Sequence, residues 1–196
     1  MGKQGITANK ALKLLKLGNA EFVQNDGARG NVSAAQRKQT TEHGQDPYAV
    51  VIACSDSRVI PEAIFNSDLG ELFVIRVAGN IIDAHQLGSI EYAAEHLGVN
   101  LVLVLGHTHC GAVHAALEGD HEGYIRYIVD EIQGAIGEEK DPYEACHLNV
   151  RHSMRTIEES LKIQKVEHEY GLKVRGAIYD IETGVVDFLE DDVHVG

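Results

Sequence analysis

Asn100-Leu-Val-Leu-Val-Leu105 runs straight into Gly106-His107-Thr108-His109-Cys110-Gly111. The first part is uninterrupted and apolar and stops at a glycine. Such a run reads as a strand buried on both faces, which is the habit of parallel sheets. Two similar runs lie upstream. Tyr48-Ala-Val-Val-Ile-Ala-Cys54 is bounded by Pro47 and Ser55, and Leu72-Phe-Val-Ile-Arg-Val-Ala78 ends at Gly79-Asn80. Both read as further strands of the same buried kind.

Helical patterns alternate with these runs. Lys10 to Val23 places Ala11, Leu14, Leu15 and Phe22 at a helical period with lysines between them. Leu87 to Leu97 is helical in composition and closes at Gly98, a C-cap residue. Asp141-Pro142-Tyr143-Glu144 predicts a helix start with Asp as N-cap, Pro as first residue and Glu as capping-box partner. That helix carries Val150, Met154, Ile157 and Leu161 on one face, and Gly171 ends it. Lys173–Asp180 and Val185–Glu190 are two strands joined by the turn Glu182-Thr183-Gly184. Strands alternating with helices give an α/β fold with a mostly parallel sheet, to which the last hairpin adds an antiparallel edge.

The chain has 196 residues, a length that suits one domain over 1–196, with 1–25 as an N-terminal helical arm. The longest apolar run, Tyr48–Cys54, is far too short to span a membrane. The start of the chain lacks a signal-peptide core, and Ile6 breaks the myristoylation pattern. We therefore expect a cytoplasmic protein with no membrane partner. A net charge of −13 argues against nucleic acid as a partner. The charge is uneven: residues 1–40 hold seven Lys/Arg against two Asp/Glu. This basic start reads as a solvated helix face or as an arm docking on the acidic body of a partner subunit. The three cysteines, an odd number, argue against a disulfide framework.

Two strand ends carry chemistry. Cys54-Ser55-Asp56-Ser57-Arg58 follows one strand, and His107 and Cys110 follow another. Ligands of open α/β sheets gather at the carboxyl ends of parallel strands. Two thiolates and an imidazole suit zinc, and three protein ligands leave a fourth position open, as in catalytic sites. Asp56 and Arg58 are two apart, so on extended backbone they face the same way and can pair. His109 and His114 compete as ligands, and His109, beside Cys110, is expected to point away. Cys146, within a helix, reads as structural. Gly79 and Gly111 read as backbone devices for close approach.

Cys-Ser-Asp-Ser-Arg (54–58), followed about fifty residues later by Gly-His-x-x-Cys-Gly (106–111), resembles the β-class carbonic anhydrases. The resemblance runs from Gly18-Asn19 before Phe22-Val23 to the final strands. It implies a four-stranded parallel sheet with a further edge strand. It also implies one zinc ion per chain on Cys54, His107 and Cys110, with Asp56 and Arg58 as catalytic dyad. The plant-like branch has an amide at Gln45, an apolar pocket wall at Phe73 and a phenol at Tyr92. With Gly111, these are the substrate-side positions. The implied reaction is reversible hydration of carbon dioxide to bicarbonate and a proton by zinc-bound hydroxide. The implied assembly is a homodimer, or a tetramer built from dimers, with each active site at a subunit interface.

The chain departs from family patterns at three places. Val51 stands where members with an inhibitory bicarbonate site have Trp, although Arg76 is kept. Ala112 replaces a second glycine, and Arg76-Val77 replaces an Arg-Asn pair. Two other readings use the same residues. One is hydrolysis of carbonyl sulfide or carbon disulfide at the same zinc site. The other is a non-enzymatic zinc or thiol redox protein cycling Cys54 and Cys110.

Overall fold

The structure is a computed structural model and describes residues 5–25, 27–119 and 121–190. Of the arm at 1–25, residues 1–4 therefore lie outside the described residues. Five strands form one sheet in the order β2-β1-β3-β4-β5. They are β1 (Ala49–Ala53), β2 (Leu72–Arg76), β3 (Leu101–His107), β4 (Lys173–Tyr179) and β5 (Val186–Phe188). The first four pair in parallel, and β5 pairs antiparallel with β4. The architecture is the expected α/β one.

Alternation along β1 and β3 sorts the core into two layers. Val50, Ile52, Val102 and Val104 face one cluster, to which helices α4 (Ala84–His96), α5 (Gly111–Glu118), α6 (Ile125–Ile136), α7 (Pro142–Glu158) and α8 (Leu161–Tyr170) contribute. Ala49, Val51, Ala53, Leu101, Leu103 and Leu105 face the other, covered by α1 (Ala8–Gln24) and the short α3 (Pro61–Ile64). Both faces of β1 and β3 are thus sealed, which is why the sequence there is apolar without interruption. A further helix, α2 (Ala34–His43), buries none of its residues within the chain.

Several expectations need correction. Residues 72–76 do form a strand, but β2 lies at the sheet edge, so Phe73, Val74 and Ile75 are only half-buried. The helix beginning at Asp141 does not continue to Gly171. It stops at Glu158, and Ser160 caps a new helix through its hydroxyl, which accepts from Ile163 N–H. Leu161 consequently lies in the first turn of α8 and is exposed, not on the buried face of α7. Asp141 does cap α7, but its own N–H donates to Glu139 instead of to a Glu144 capping-box partner. The helix read from Leu87 starts earlier, at Ala84, where Asp83 and Gln86 form a capping box.

The arm is part of the core of its own chain. Ala11 and Leu15 are fully buried, and Asn19 ties α1 to the end of α3 and to the start of β5 with the turn before it. Its amide donates to the carbonyls of Ile64 and Gly184 (3.2 and 2.9 Å), and its oxygen accepts from Val186 N–H at 2.9 Å.

Two glycines let α7 sit close on the sheet. A Cβ on Gly106 would stand 2.6 Å from Val150 Cγ2, and one on Gly176 would stand 2.7 Å from Met154 Sδ. Gly106→Ala is expected to lower stability by about 1–3 kcal/mol through overpacking, with His107 directly beside the strain. Urea unfolding at unchanged m-value checks this. An unchanged midpoint would mean that α7 has room to move.

Candidate metal centre

Register brings the two strand ends together. β1 and β3 are neighbours with Ala53 opposite Leu105, so Cys54, just past β1, meets His107 at the end of β3. A turn through Thr108 and His109 then delivers Cys110 as the N-cap of α5. His109 adopts a left-handed φ of 56°, and Thr108 anchors the turn through its N–H to Tyr179 O and its hydroxyl, which accepts from Ile181 N–H. The ligand atoms of Cys54, His107 and Cys110 all lie within 4.8 Å of one another. This is the one group of three or more His, Cys, Asp or Glu side chains with that geometry among the described residues. His109 and His114 lie outside it.

The donor set fits a metal. All three residues are buried, and His107 Nε2 is a buried nitrogen with no hydrogen-bond partner. Its other ring nitrogen, Nδ1, lies 2.8 Å from Thr108 O. That carbonyl can only accept, so Nδ1 carries the proton and Nε2 is left with its lone pair. The Cys54 thiol is drawn well below its usual range, first by the hydrogen bond from the Cys110 thiol, then by those from the N–H groups of Gly79 and Asp56, against burial. The Cys110 thiol is pushed up, first by that same hydrogen bond, then by burial. A divalent ion held between the two thiols would displace their protons. Two sulfurs and an imidazole nitrogen are the set that zinc takes.

Beside the cluster stands the Asp56–Arg58 pair. Asp56 Oδ1 accepts from the backbone N–H and Nε of Arg58 (3.0 and 2.9 Å), and Oδ2 accepts from a terminal guanidinium nitrogen at 2.7 Å. The same nitrogen donates to His109 O at 3.2 Å, tying the dyad to the second motif. The hydrogen bond from Arg58 holds the Asp56 carboxyl well below the usual carboxylate range.

Gly79 behaves as a close-approach residue. Its φ is +70°, its N–H donates to Cys54 Sγ at 3.2 Å, and a Cβ there would meet Ile132 Cδ1 at 2.7 Å. Gly111 does not: a Cβ there would meet nothing within 4 Å, so the packing of this chain does not require it. Cys146 is buried on α7, donates to His107 O at 3.3 Å, and has its thiol pushed up to about 11, chiefly by burial. It lines a cavity of about 340 Å³ together with Cys110, His109, His114 and Tyr143.

The remaining substrate-side positions are elsewhere. Phe73 pairs with Val50, four residues before Cys54, so Phe73 lies about 13 Å up the sheet from the cluster at roughly 3.3 Å per residue. Gln45 is exposed ahead of β1, and Tyr92, 47% exposed on α4, has its ring 6.2 Å from that of Phe73. Within one chain these three do not join the cluster. Arg76 escaped the sequence reading as a site residue, because its role depends on strand register.

The carbonic anhydrase family profile matches residues 49–186. Carbonic anhydrase 2 of Mycobacterium tuberculosis is 44% identical over 131 residues, covering 64% of this chain and 63% of its own length. The chain thus spans just under two thirds of that relative. A carbonic anhydrase of Mycolicibacterium smegmatis is 42% identical over 151 residues, 71% of this chain and 73% of its own. Among solved structures, a β-carbonic anhydrase of Coccomyxa in complex with acetazolamide superposes with a TM-score of 0.73 at 27% identity, covering 80% of this chain and 78% of that one. One of two tetrameric enzymes of Sordaria macrospora gives 0.72 at 28%, covering 81% and 88%. Sequence, sheet order and the paired strand ends agree, and the chain belongs to the β-carbonic anhydrase family.

Proposed function

We propose that the protein is a zinc-dependent carbonic anhydrase, with Cys54, His107 and Cys110 as ligands. The observation that carries this reading is a buried three-ligand cluster beside an ionised, clamped carboxylate. A zinc ion held by Cys54, His107 and Cys110 would supply a nucleophile near neutral pH by acidifying bound water.

The chain's own groups do the rest. Oδ1 of Asp56 already accepts two hydrogen bonds, whereas Oδ2 accepts one. Oδ2 therefore keeps a lone pair with which to take a hydrogen bond from the attacking O–H group and orient it at the carbon of the substrate. Arg58 fixes the plane of the Asp56 carboxylate through the two-pronged contact. The test is stopped-flow hydration of carbon dioxide by zinc-replete protein, with carbonyl sulfide as the comparison. Absence of turnover on carbon dioxide at full zinc occupancy would overturn the reading.

We infer further that a second subunit brings Gln45, Phe73 and Tyr92 to the centre. Three surfaces support such an assembly: the edge strand β2, the α2 helix with no buried residue, and the outer face of α1 with Leu14 and Leu17 at 38% and 51% exposure. Because α1 also builds its own core, deleting residues 1–25 would unfold the chain and say little about assembly. Leu17→Asp leaves the buried face intact. It is expected to weaken the dimer at least about tenfold, read by sedimentation across a dilution series. A monomeric parent chain would refute the inference.

A further inference from the structure

Arg76 is the last residue of β2, opposite Ala53, and its side chain is used in an unusual way. Its Nε donates to Cys54 O at 3.1 Å, and a terminal nitrogen donates to Asp56 O at 2.7 Å. The two carbonyls lie on either side of Ser55, so one planar fork straddles that residue. Strand pairing continues beneath it: Val77 N–H donates to Ala53 O and Ser55 N–H to Val77 O, both at 3.2 Å. Asp56 N–H in turn points at Cys54 Sγ, 3.4 Å away. Ala53 O, Cys54 O, Ser55 N–H, Asp56 N–H and Asp56 O are thus all held, and the guanidinium holds two of them.

Arg76 donates to backbone carbonyls, whereas the Asp56 carboxylate is held by Arg58. Its effect on the dyad must therefore pass through the peptide backbone. Charge-assisted hydrogen bonds to two carbonyls resist rotation of the 54–56 peptides more strongly than neutral ones. That segment carries both a ligand of the cluster, Cys54, and the base of the Asp56 side chain. A lysine could not substitute, since an ammonium on a flexible stem lacks the rigid fork.

We propose that Arg76 is a positioning residue for the reaction: its guanidinium fixes the Cys54–Asp56 segment and so holds Asp56 at the right place and angle beside the metal centre. The proposal rests on the carbonic anhydrase reading above. A small displacement is enough to matter, because about 1 Å of misplacement can cost on the order of 100-fold in rate.

The experiment compares Arg76→Met and Arg76→Lys with the parent in the full chain. Three quantities are read: zinc per chain, kcat and KM for carbon dioxide hydration, and amide hydrogen exchange with and without zinc. Arg76→Met is expected to retain about one zinc per chain while kcat falls roughly 10- to 100-fold, with KM within about twofold. Arg76→Lys should fall between it and the parent. Amide exchange at Ser55 and Asp56 should accelerate at least about tenfold in Arg76→Met, with or without zinc, while Val51 to Ala53 stay as protected as in the parent. Parental kcat and parental exchange at Ser55 would overturn the proposal. Loss of zinc in step with activity, so that turnover per bound zinc stays normal, would also overturn it, since Arg76 would then support the ligand site and not the dyad. If the parent chain shows no hydration activity, the functional reading fails, whereas the exchange measurement still decides whether Arg76 holds the segment.

Discussion

Cys54→Ala is expected to leave the chain without its zinc and without measurable carbon dioxide hydration. Cys54 contributes one of three donors, and the remaining pair, His107 and Cys110, both come from the far strand end. Loss of an outer hydrogen-bond partner of a metal ligand alone costs roughly 10- to 100-fold in affinity. Loss of the ligand should exceed that. The substitution also strips the acceptor from two N–H groups, those of Gly79 and Asp56, at 3.2 and 3.4 Å from Sγ. A buried donor left unsatisfied costs about 1–3 kcal/mol, so Cys54→Ala should lower the melting temperature even of metal-free protein. Cys54→Ser keeps an acceptor and separates the effects: it should recover most of that stability and little of the zinc affinity. Native mass spectrometry under non-denaturing conditions gives the occupancy. Full occupancy in Cys54→Ala would refute the ligand assignment, and equal stability of the Ala and Ser variants would refute the hydrogen-bond argument.

What the sequence displayed and what it hid have physical reasons. The ligand cluster was legible because its members sit at ends of apolar strands, and a buried strand announces itself by composition. The pairing of Asp56 with Arg58 was legible from their spacing of two, although the backbone there is a turn, closed by Val59 N–H donating to Asp56 O at 3.0 Å, and not the extended segment that alternation assumes. Whether a strand is central or at an edge was not legible. Residues 72–75 are as apolar as residues 49–53, yet β2 has a neighbour on one side only. An apolar edge of that kind is what an assembling subunit would need, and composition alone cannot tell it from a core strand. The break between α7 and α8 escaped because the hydrophobic period continues through it, while the event that decides it is a single hydroxyl at Ser160, which caps α8 and also donates to Glu91. Arg76 escaped for a different reason. Its partners are backbone carbonyls 20 and 22 residues away, and only register puts them within reach.

Arg58→Ala is expected to reduce carbon dioxide hydration by about 100-fold or more while the chain keeps its zinc and nearly all of its stability. An unperturbed aspartate titrates near 3.9, so Asp56 stays ionised at neutral pH even when Arg58 is gone. What is lost is the fork that fixes the carboxylate plane, at 2.9 and 2.7 Å, leaving one restraint at 3.0 Å from the backbone N–H of residue 58. A carboxylate held at one oxygen can turn, and the nearest strong attraction is the metal centre two residues back. Stability should hardly change, because the Arg58 side chain is 51% exposed and such pairs contribute about 0–1 kcal/mol. The sign of the pH dependence agrees. The Asp56 carboxyl is depressed in the folded chain, so whatever the pair contributes is present above about pH 4 and is lost as pH falls through the depressed value. Neutral assays therefore compare two folded, ionised enzymes that differ in geometry. Arg58→Lys, which keeps the charge but not the fork, should recover only part of the rate. The measurement is kcat/KM at matched zinc content, paired with thermal unfolding and a crystal structure of the alanine variant. Near-normal turnover, or a structure with the Asp56 carboxylate unmoved, would show that Arg58 does not position it.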